Sequence, residues 1–195
     1  MITTLITFLI LAFSAEDNLE FKKDICLSKS EVHLVEAINK ARRNKGKKKV
    51  AISKSLTYVA KLHAEDLSAH ELFNEHCNPH SWSDEGEWEP CCYTENHSNA
   101  ECMWKKPSEL TDYKSEGYEI VAFWQSGENP SQEISADKAL QMWLDSPGHS
   151  NVIFNNQSFR QVEWNAIGVA IHGNYASVWF GVEKDDAPPP QICSN

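Results

Sequence analysis

Six cysteines restrict the folds open to this chain more than any other feature, because four of them crowd into one short segment. Those four are Cys77, Cys91, Cys92 and Cys102, whereas Cys26 and Cys193 lie near the two ends. Adjacent cysteines are poorly placed to pair with each other, since a disulfide needs a particular separation and dihedral angle. We therefore expect Cys77 and Cys102 to pair with Cys91 and Cys92, in either order, and Cys26 to pair with Cys193. A zinc site built from His80 and these central cysteines is the alternative, although the paired CxxC spacing of such sites is absent.

The first residues favour disulfides over metal. The apolar run from Leu5 to Phe13 is too short for a membrane-spanning helix, which needs about 20 residues, and the small residues Ser14 and Ala15 follow it. This pattern predicts a secretory signal peptide over residues 1–15, with a retained membrane anchor as the alternative. No other stretch is apolar and long enough for a stable membrane span. We therefore expect a secreted, extracellular protein, and export favours disulfide bonds.

Length and charge exclude some classes of function. A chain of 195 residues favours a single domain. The net charge of −10 and the pI near 5.2 argue against a nucleic-acid partner, because phosphate binding needs a basic surface. The one basic run, from Arg42 to Lys49, is interrupted by Gly46. It is a candidate for an anionic surface partner, with a solvated loop between helices as the alternative.

The periodicity of apolar residues predicts a mixed fold. A capping box from Ser28 to Glu31 begins a first helix that ends at about Asn44, and Ser53 caps a second helix. His63 lies in the apolar stripe of that second helix, where we interpret it as a hydrogen-bonded core residue. Further on we predict a strand at 118–124, a helix ending at Trp143, and a hairpin of strands 166–172 and 176–182. This order favours an α+β fold, with an antiparallel sheet covered by helices.

Two other segments are predicted to lack regular structure. Periodicity disappears between Leu72 and Lys114, and a segment this long without helices or strands is usually functional or held by disulfides. Pro147 is predicted to end the helix of Trp143, and Gly148 to permit a tight turn. His149 would then lie just beyond a helix end, where its ring can face a cleft.

Three polar residues stand out as candidates for a functional site. His80 and His149 lie in predicted loops, and Glu119 lies within an otherwise apolar strand. A buried carboxylate is costly unless it is paired or lines a wet cavity. Two imidazoles with a carboxylate can coordinate zinc or perform acid–base chemistry. The alternative is a buried hydrogen-bonded cluster that orders the loops.

The order of short motifs resembles the CAP superfamily, which comprises the cysteine-rich secretory, antigen 5 and pathogenesis-related-1 proteins, also called SCP domains. The resemblance covers Leu27 to Val182 and is strongest to the shorter, bacterial-type form. The motifs that carry it are Asn39-Lys40-Ala41-Arg42, His80-Ser81, the run from Trp143 through Ser146-Pro147-Gly148-His149 to Ile153, Ile167-Gly168-Val169 and Trp179-Phe180-Gly181.

The resemblance implies a three-layer α-β-α sandwich with a central antiparallel sheet, a long disulfide-stapled loop, and a cleft lined by two histidines and two acids. It places His80 and His149 as the histidines and as the candidate metal ligands. Glu128 matches the family's Gly-Glu-Asn letters, but Pro130 follows it and no strand does. We therefore assign the first acid to Glu119. Ser146 stands where the second acid would be, and the neighbouring Asp145 is predicted to point elsewhere.

These observations predict a secreted CAP domain at residues 27–184, followed by a Pro-rich tail at 185–195 that Cys193 can pin. The cleft of His80, Glu119, Ser146 and His149 is expected to bind a divalent ion such as Zn²⁺, or a small-molecule or lipid ligand such as a sterol. An extracellular protein partner is a further expectation. Because no residue of the set is a credible nucleophile, we expect binding rather than turnover. The alternative is a secreted peptidase- or esterase-like hydrolase that uses His80 or His149 as general base.

Overall fold

A computed structural model describes residues 24–70, 74, 76–127 and 132–194 of the protein. The predicted signal peptide and Glu128 lie outside these residues. The elements in chain order are β1 (Cys26–Leu27), α1 (Lys29–Asn44), β2 (Ala51–Ile52), α2 (Lys54–Ala69), α3 (Glu101–Trp104), α4 (Lys106–Leu110), β3 (Gly117–Phe123), α5 (Ala136–Asp145), α6 (Pro147–Phe154), a 3-10 turn (Gln157–Phe159), β4 (Ala166–His172), β5 (Tyr175–Gly181) and β6 (Gln191–Ile192).

The two long helices begin where the hydroxyl caps predict. The Ser28 hydroxyl accepts from the Glu31 backbone N–H, and the Glu31 carboxylate accepts from the Ser28 N–H at 2.7 Å. The Ser53 hydroxyl accepts from the Leu56 N–H at 3.0 Å. Side chains thus satisfy donors that the first turn of a helix leaves unpaired.

The central sheet has the strand order β2-β4-β5-β3. Strands β3 and β4 each pair with β5 along seven residues in antiparallel register, and Gly173-Asn174 links β4 to β5. The two-residue edge strand β2 runs parallel to β4, so the complete sheet is mixed, although its three long strands are antiparallel as predicted.

Helices cover both faces of this sheet. One core cluster joins α1, α5 and α6 to the sheet through Leu34, Ile38, Trp143 and Val169. A second cluster packs α2 and the disulfide-stapled loop against the other face, around Trp179. The protein is therefore the expected three-layer α-β-α sandwich. No helix within the described ranges is long and apolar enough to cross a membrane.

The cysteine pairing follows the predicted scheme, and the open order is now settled. Cys77 pairs with Cys92, Cys91 with Cys102, and Cys26 with Cys193. No cysteine is free, so the alternative of a cysteine zinc site is wrong. The expectation that 72–114 lacks helices is also wrong, because α3 and α4 lie within it. Helices of four and five residues are too short to show a 3.6-residue period.

The predicted tight turn at Pro147-Gly148 is absent. Pro147 is instead the first residue of α6, a position that requires no backbone N–H and suits the fixed φ of proline. The helix continues through Gly148. His149 therefore lies in the first turn of α6, and does not follow the end of a helix.

The C-terminal tail packs against the domain. The Asp185 carboxylate accepts from the Ser53 hydroxyl at 2.5 Å, and from the backbone N–H and hydroxyl of Ser55 at 2.8 and 3.0 Å. It thereby adds a second cap to α2, at the helix end where a negative charge is favourable. Beyond it, β6 pairs with β1 beside the terminal disulfide.

Gly168 shows how tightly α2 lies on the sheet. A Cβ atom at this position would lie 2.1 Å from the Leu56 carbonyl carbon and 2.3 Å from the Thr57 nitrogen, both of them backbone atoms. We expect Gly168→Ala to lower the free energy of unfolding by about 2–3 kcal/mol or more, because neither backbone can shift freely. Urea denaturation measures this. Gly148→Ala is the control, since nothing lies within 4 Å of its Cβ position. Equal stability of the two variants would contradict this packing.

Candidate functional site

A buried carboxylate with three hydrogen-bond partners forms the centre of the site. Glu119 lies on β3, and its side chain is fully buried. Its Oε1 accepts from the Ser177 hydroxyl at 2.6 Å and lies 2.5 Å from His63 Nδ1, while its Oε2 lies 2.9 Å from His80 Nδ1. Glu119 therefore joins α2, β5 and the stapled loop at one point.

The partners of His63 determine its protonation. Its Nε2 lies 2.9 Å from the Ser81 carbonyl oxygen, which can only accept, so Nε2 carries a proton. Its Nδ1 faces Glu119 Oε1, which already receives the hydroxyl proton of Ser177. Because the carboxylate accepts from every side, both nitrogens of His63 donate. The pair is an imidazolium and a carboxylate.

The pKa shifts agree with this assignment. Burial by itself lowers the pKa of His63, but the charge and hydrogen bond of Glu119 outweigh burial, and the pKa is raised. Burial would likewise raise the pKa of Glu119, but the charge and hydrogen bond of His63, with those of His80, hold it at about 2. The ring of His63 also stacks on Trp82, with centroids 4.4 Å apart.

His80 is oriented by the same carboxylate. Its Nδ1 donates to Glu119 Oε2, and its backbone N–H donates to the Asn78 side chain at 2.9 Å. The Tyr93 ring lies 5.2 Å from the imidazole, centroid to centroid. With Nδ1 engaged, Nε2 of the neutral ring is the nitrogen that offers a lone pair. A carboxylate that orients a histidine in this way is typical of the outer shell of metal sites.

His149 supplies a second imidazole close to the first. Burial and the nearby His80 lower its pKa to about 4, despite the opposing charge of Glu119. The ring is therefore neutral at neutral pH. Within the described part of the chain, no group forms a hydrogen bond with its side chain. A neutral imidazole can accept a proton or bind a metal.

The other predicted cleft residues contribute less. Ser146 is half-buried at the junction of α5 and α6, and its side chain caps neither helix. Asp145 is exposed and accepts from the Gln141 side chain at 2.8 Å, so it is engaged along α5. Among the described residues, no cluster of three or more His, Cys, Asp or Glu side chains is arranged to hold a metal. A metal at this site would have His80 and His149 as its protein ligands.

His63 is the residue whose role the sequence does not reveal. It occupies the predicted buried stripe of α2, and it is hydrogen-bonded as expected, but its partner is the candidate site itself. One signal for this contact existed: a carboxylate within a buried strand needs a cation, and His63 is the titratable residue of that stripe.

Comparison with known proteins follows from this geometry. Residues 35–181 match the profile of the CAP family, described as the cysteine-rich secretory protein family. The chain belongs to the CAP family. A comparison with curated protein sequences finds no significant match.

Solved CAP-type structures show the same fold. An extracellular SCP-domain protein from Bacillus anthracis is 16% identical with a TM-score of 0.52, over 79% of this chain and 40% of that one. An outer surface protein of Borrelia burgdorferi is 18% identical with a TM-score of 0.50, over 78% of this chain and 92% of that one. This chain thus spans about two fifths of the first protein. At these identities the likeness shows the fold alone.

The buried pair predicts a large effect of removing His63. His63→Ala leaves the Glu119 charge buried without its cation, and we expect the free energy of unfolding to fall by about 3–5 kcal/mol. Urea denaturation at neutral pH measures this. The control is His33→Ala, which removes an exposed histidine paired with Asp137 and should change stability little. Similar losses in both variants would contradict the buried ion pair.

The low pKa of Glu119 predicts acid sensitivity with a defined sign. A carboxyl group whose pKa falls from 4.5 to about 2 on folding contributes stability that is complete above pH 4.5. That contribution is lost as the pH falls from 4.5 towards 2. We expect the difference in stability between the parent and Glu119→Gln to be constant just above pH 4.5 and to shrink across this window. A difference that is independent of pH from 5 to 2 would show that Glu119 is not held ionised.

Proposed function

We propose that this CAP domain is secreted and binds a divalent ion such as Zn²⁺ through His80 and His149, acting by binding rather than by turnover. Secretion is supported by three disulfides, which persist in oxidising compartments. The titles of the two CAP-type neighbours, an extracellular protein and an outer surface protein, are in keeping with it.

The observation that carries the proposal is the orientation of His80. The Glu119 carboxylate accepts from its Nδ1, so Nε2 is left to a ligand, and His149 is neutral beside it. Glu119 itself is fully buried and engaged by three partners, so it acts as an outer-shell residue. Two protein ligands leave the remaining positions of a zinc ion to water or to a small polar ligand.

Binding is favoured over turnover because the hydroxyl groups nearby are engaged elsewhere. The Ser81 hydroxyl is buried and accepts from the Tyr93 backbone N–H at 2.9 Å. The Ser177 hydroxyl is also buried and donates to Glu119. Neither is a nucleophile activated by an adjacent base. A ligand that completes the ion, whether a small molecule, a lipid headgroup or a group on an extracellular protein, fits such a site.

Titration calorimetry with Zn²⁺ tests the metal. We expect the mature chain to bind one ion, and His80→Ala with His149→Ala to abolish measurable binding. His33→Ala with His172→Ala is the matched control, because both residues are exposed and lie outside the site. Glu119→Gln should weaken binding by about 10–100-fold while His80 and His149 remain. Equal affinity in the parent and the His80/His149 variant would refute the metal site.

The Glu119–His80 pair also supports a second candidate, a hydrolase in which His80 or His149 is the general base that activates water. A carboxylate that orients an imidazole is a common arrangement in such enzymes. Screening against peptide and ester libraries tests it. Turnover that disappears in His149→Ala, with the fold intact, would favour this candidate. Absence of turnover in the folded parent would reject it.

A further inference from the structure

A patch of positive charge lies on this acidic protein at the end of α1. Between Ala37 and Ala64 the sequence has nine of the chain's 18 lysines and arginines and no acidic residue, whereas the net charge of the chain is −10. Three of these cations are engaged: Arg42 is buried, and Lys48 and Lys61 pair with Glu163 and Glu31. We define the basic ridge as Lys40, Arg43, Lys45, Lys47 and Lys49.

The cations of the basic ridge are available to a ligand. Lys47 is half-buried and the other four residues are exposed. In the part of the chain that the structure describes, no ion pair joins any of the five to an acidic side chain. Solvated lysines of one sign in one segment repel one another, so an arrangement of this kind gains stability from a bound polyanion.

Buried side chains hold the loop of the basic ridge in a single conformation. The amide of Asn39 accepts from the Val50 N–H at 2.8 Å and donates to the Val50 carbonyl at 3.1 Å. Arg42 donates to the Lys48 carbonyl at 3.0 Å, and its own carbonyl accepts from the Lys47 N–H. Gly46, with φ of +70°, makes the turn between them. Because the backbone is already ordered, little loop entropy is lost on binding.

Two grooves flank the basic ridge and share Ala41 and Asn44 in their walls. The first, of about 670 Å³, is lined by Lys40, Arg43 and Lys49. It also contains Glu36 and Asp137, of which Asp137 is paired with His33. The second, of about 640 Å³, is lined by Lys45 and Lys47. Cations thus line concave surfaces on both sides of one crest.

We propose that the basic ridge binds a sulfated polysaccharide. A flexible chain with anionic groups along its length can cross the crest and place a charge in each groove. A membrane surface fits less well, because Phe123 and Ile192 are the large apolar side chains that the described residues expose, and neither belongs to the ridge. This site is independent of the His80 cleft, and loss of zinc binding would not affect it.

The test uses the full mature chain and a size-defined heparin oligosaccharide, titrated by calorimetry at low and at about 150 mM salt. We expect binding that weakens as salt rises, because the ligand releases counterions. Lys45, Lys47 and Lys49 changed together to Gln should weaken the affinity by about 10-fold or more. The matched control changes Lys29, Lys138 and Lys184 to Gln; these residues are exposed and lie away from the ridge, and the loss of charge is the same.

Several results would overturn the proposal. These are absence of binding by the parent at about 150 mM salt, or an equal loss of affinity in both triple variants, which would implicate net charge alone. Equally tight binding of desulfated heparin, of single-stranded DNA or of phosphatidylserine vesicles would also reject a sulfated glycan. Circular dichroism and urea denaturation verify the fold of each variant. Lys40→Gln with Arg43→Gln, on the opposite groove, provides a second variant that should weaken binding in the same direction.

Discussion

The ion pair between Glu119 and His63 is the interaction on which the architecture of the site depends. Both side chains are fully buried, so neither charge can be solvated by water if the other is displaced. The pair joins the middle of α2 to β3, while Ser177 adds β5 and the Ser81 carbonyl adds the stapled loop. A shift of α2 by one turn would separate the charges. The pair therefore fixes the position of the helix on the sheet and, through Glu119, the orientation of His80.

Much of the fold is predictable from local rules. The caps at Ser28 and Ser53, the apolar stripes of α1 and α2, and the strands of the hairpin depend on residues close in sequence, so periodicity and capping reveal them. Pro147 shows the limit of such rules. Proline favours both the end of one helix and the first turn of the next, and the sequence does not distinguish these when the two helices are one residue apart.

The candidate site was predictable in its members but not in their roles. Glu119 was recognised because a carboxylate in an apolar strand is unusual, and His80 and His149 because their motifs resemble those of CAP proteins. Whether Glu119 faces the cleft or lies behind His80 depends on burial, which a motif does not encode. The contact of His63 with Glu119 joins residues 56 positions apart on different elements, so neither periodicity nor spacing indicates it.

The family motifs are likewise not all part of one cleft. Asn39 and Arg42 carry a large part of the CAP resemblance, yet both are buried, and their side chains bond to backbone groups of Lys48, Val50 and Ile153. Their role is to hold the segment after α1 against the domain. Gly168, in another shared motif, allows β4 to approach the backbone of α2. These residues position the layers of the sandwich, whereas ligand contact belongs to a few side chains.

The cap that Asp185 places on α2 has a consequence for the order in which the protein is made. Its partner Ser55 lies 130 residues earlier in the chain, so this end of α2 lacks one of its acceptors until nearly all of the polypeptide has been synthesised. Domains generally fold as units as they emerge from the ribosome, N-terminal parts first. Here an early helix depends on the last segment to emerge. The finished domain can therefore form only after synthesis is almost complete, which suits a chain that must remain unfolded during export.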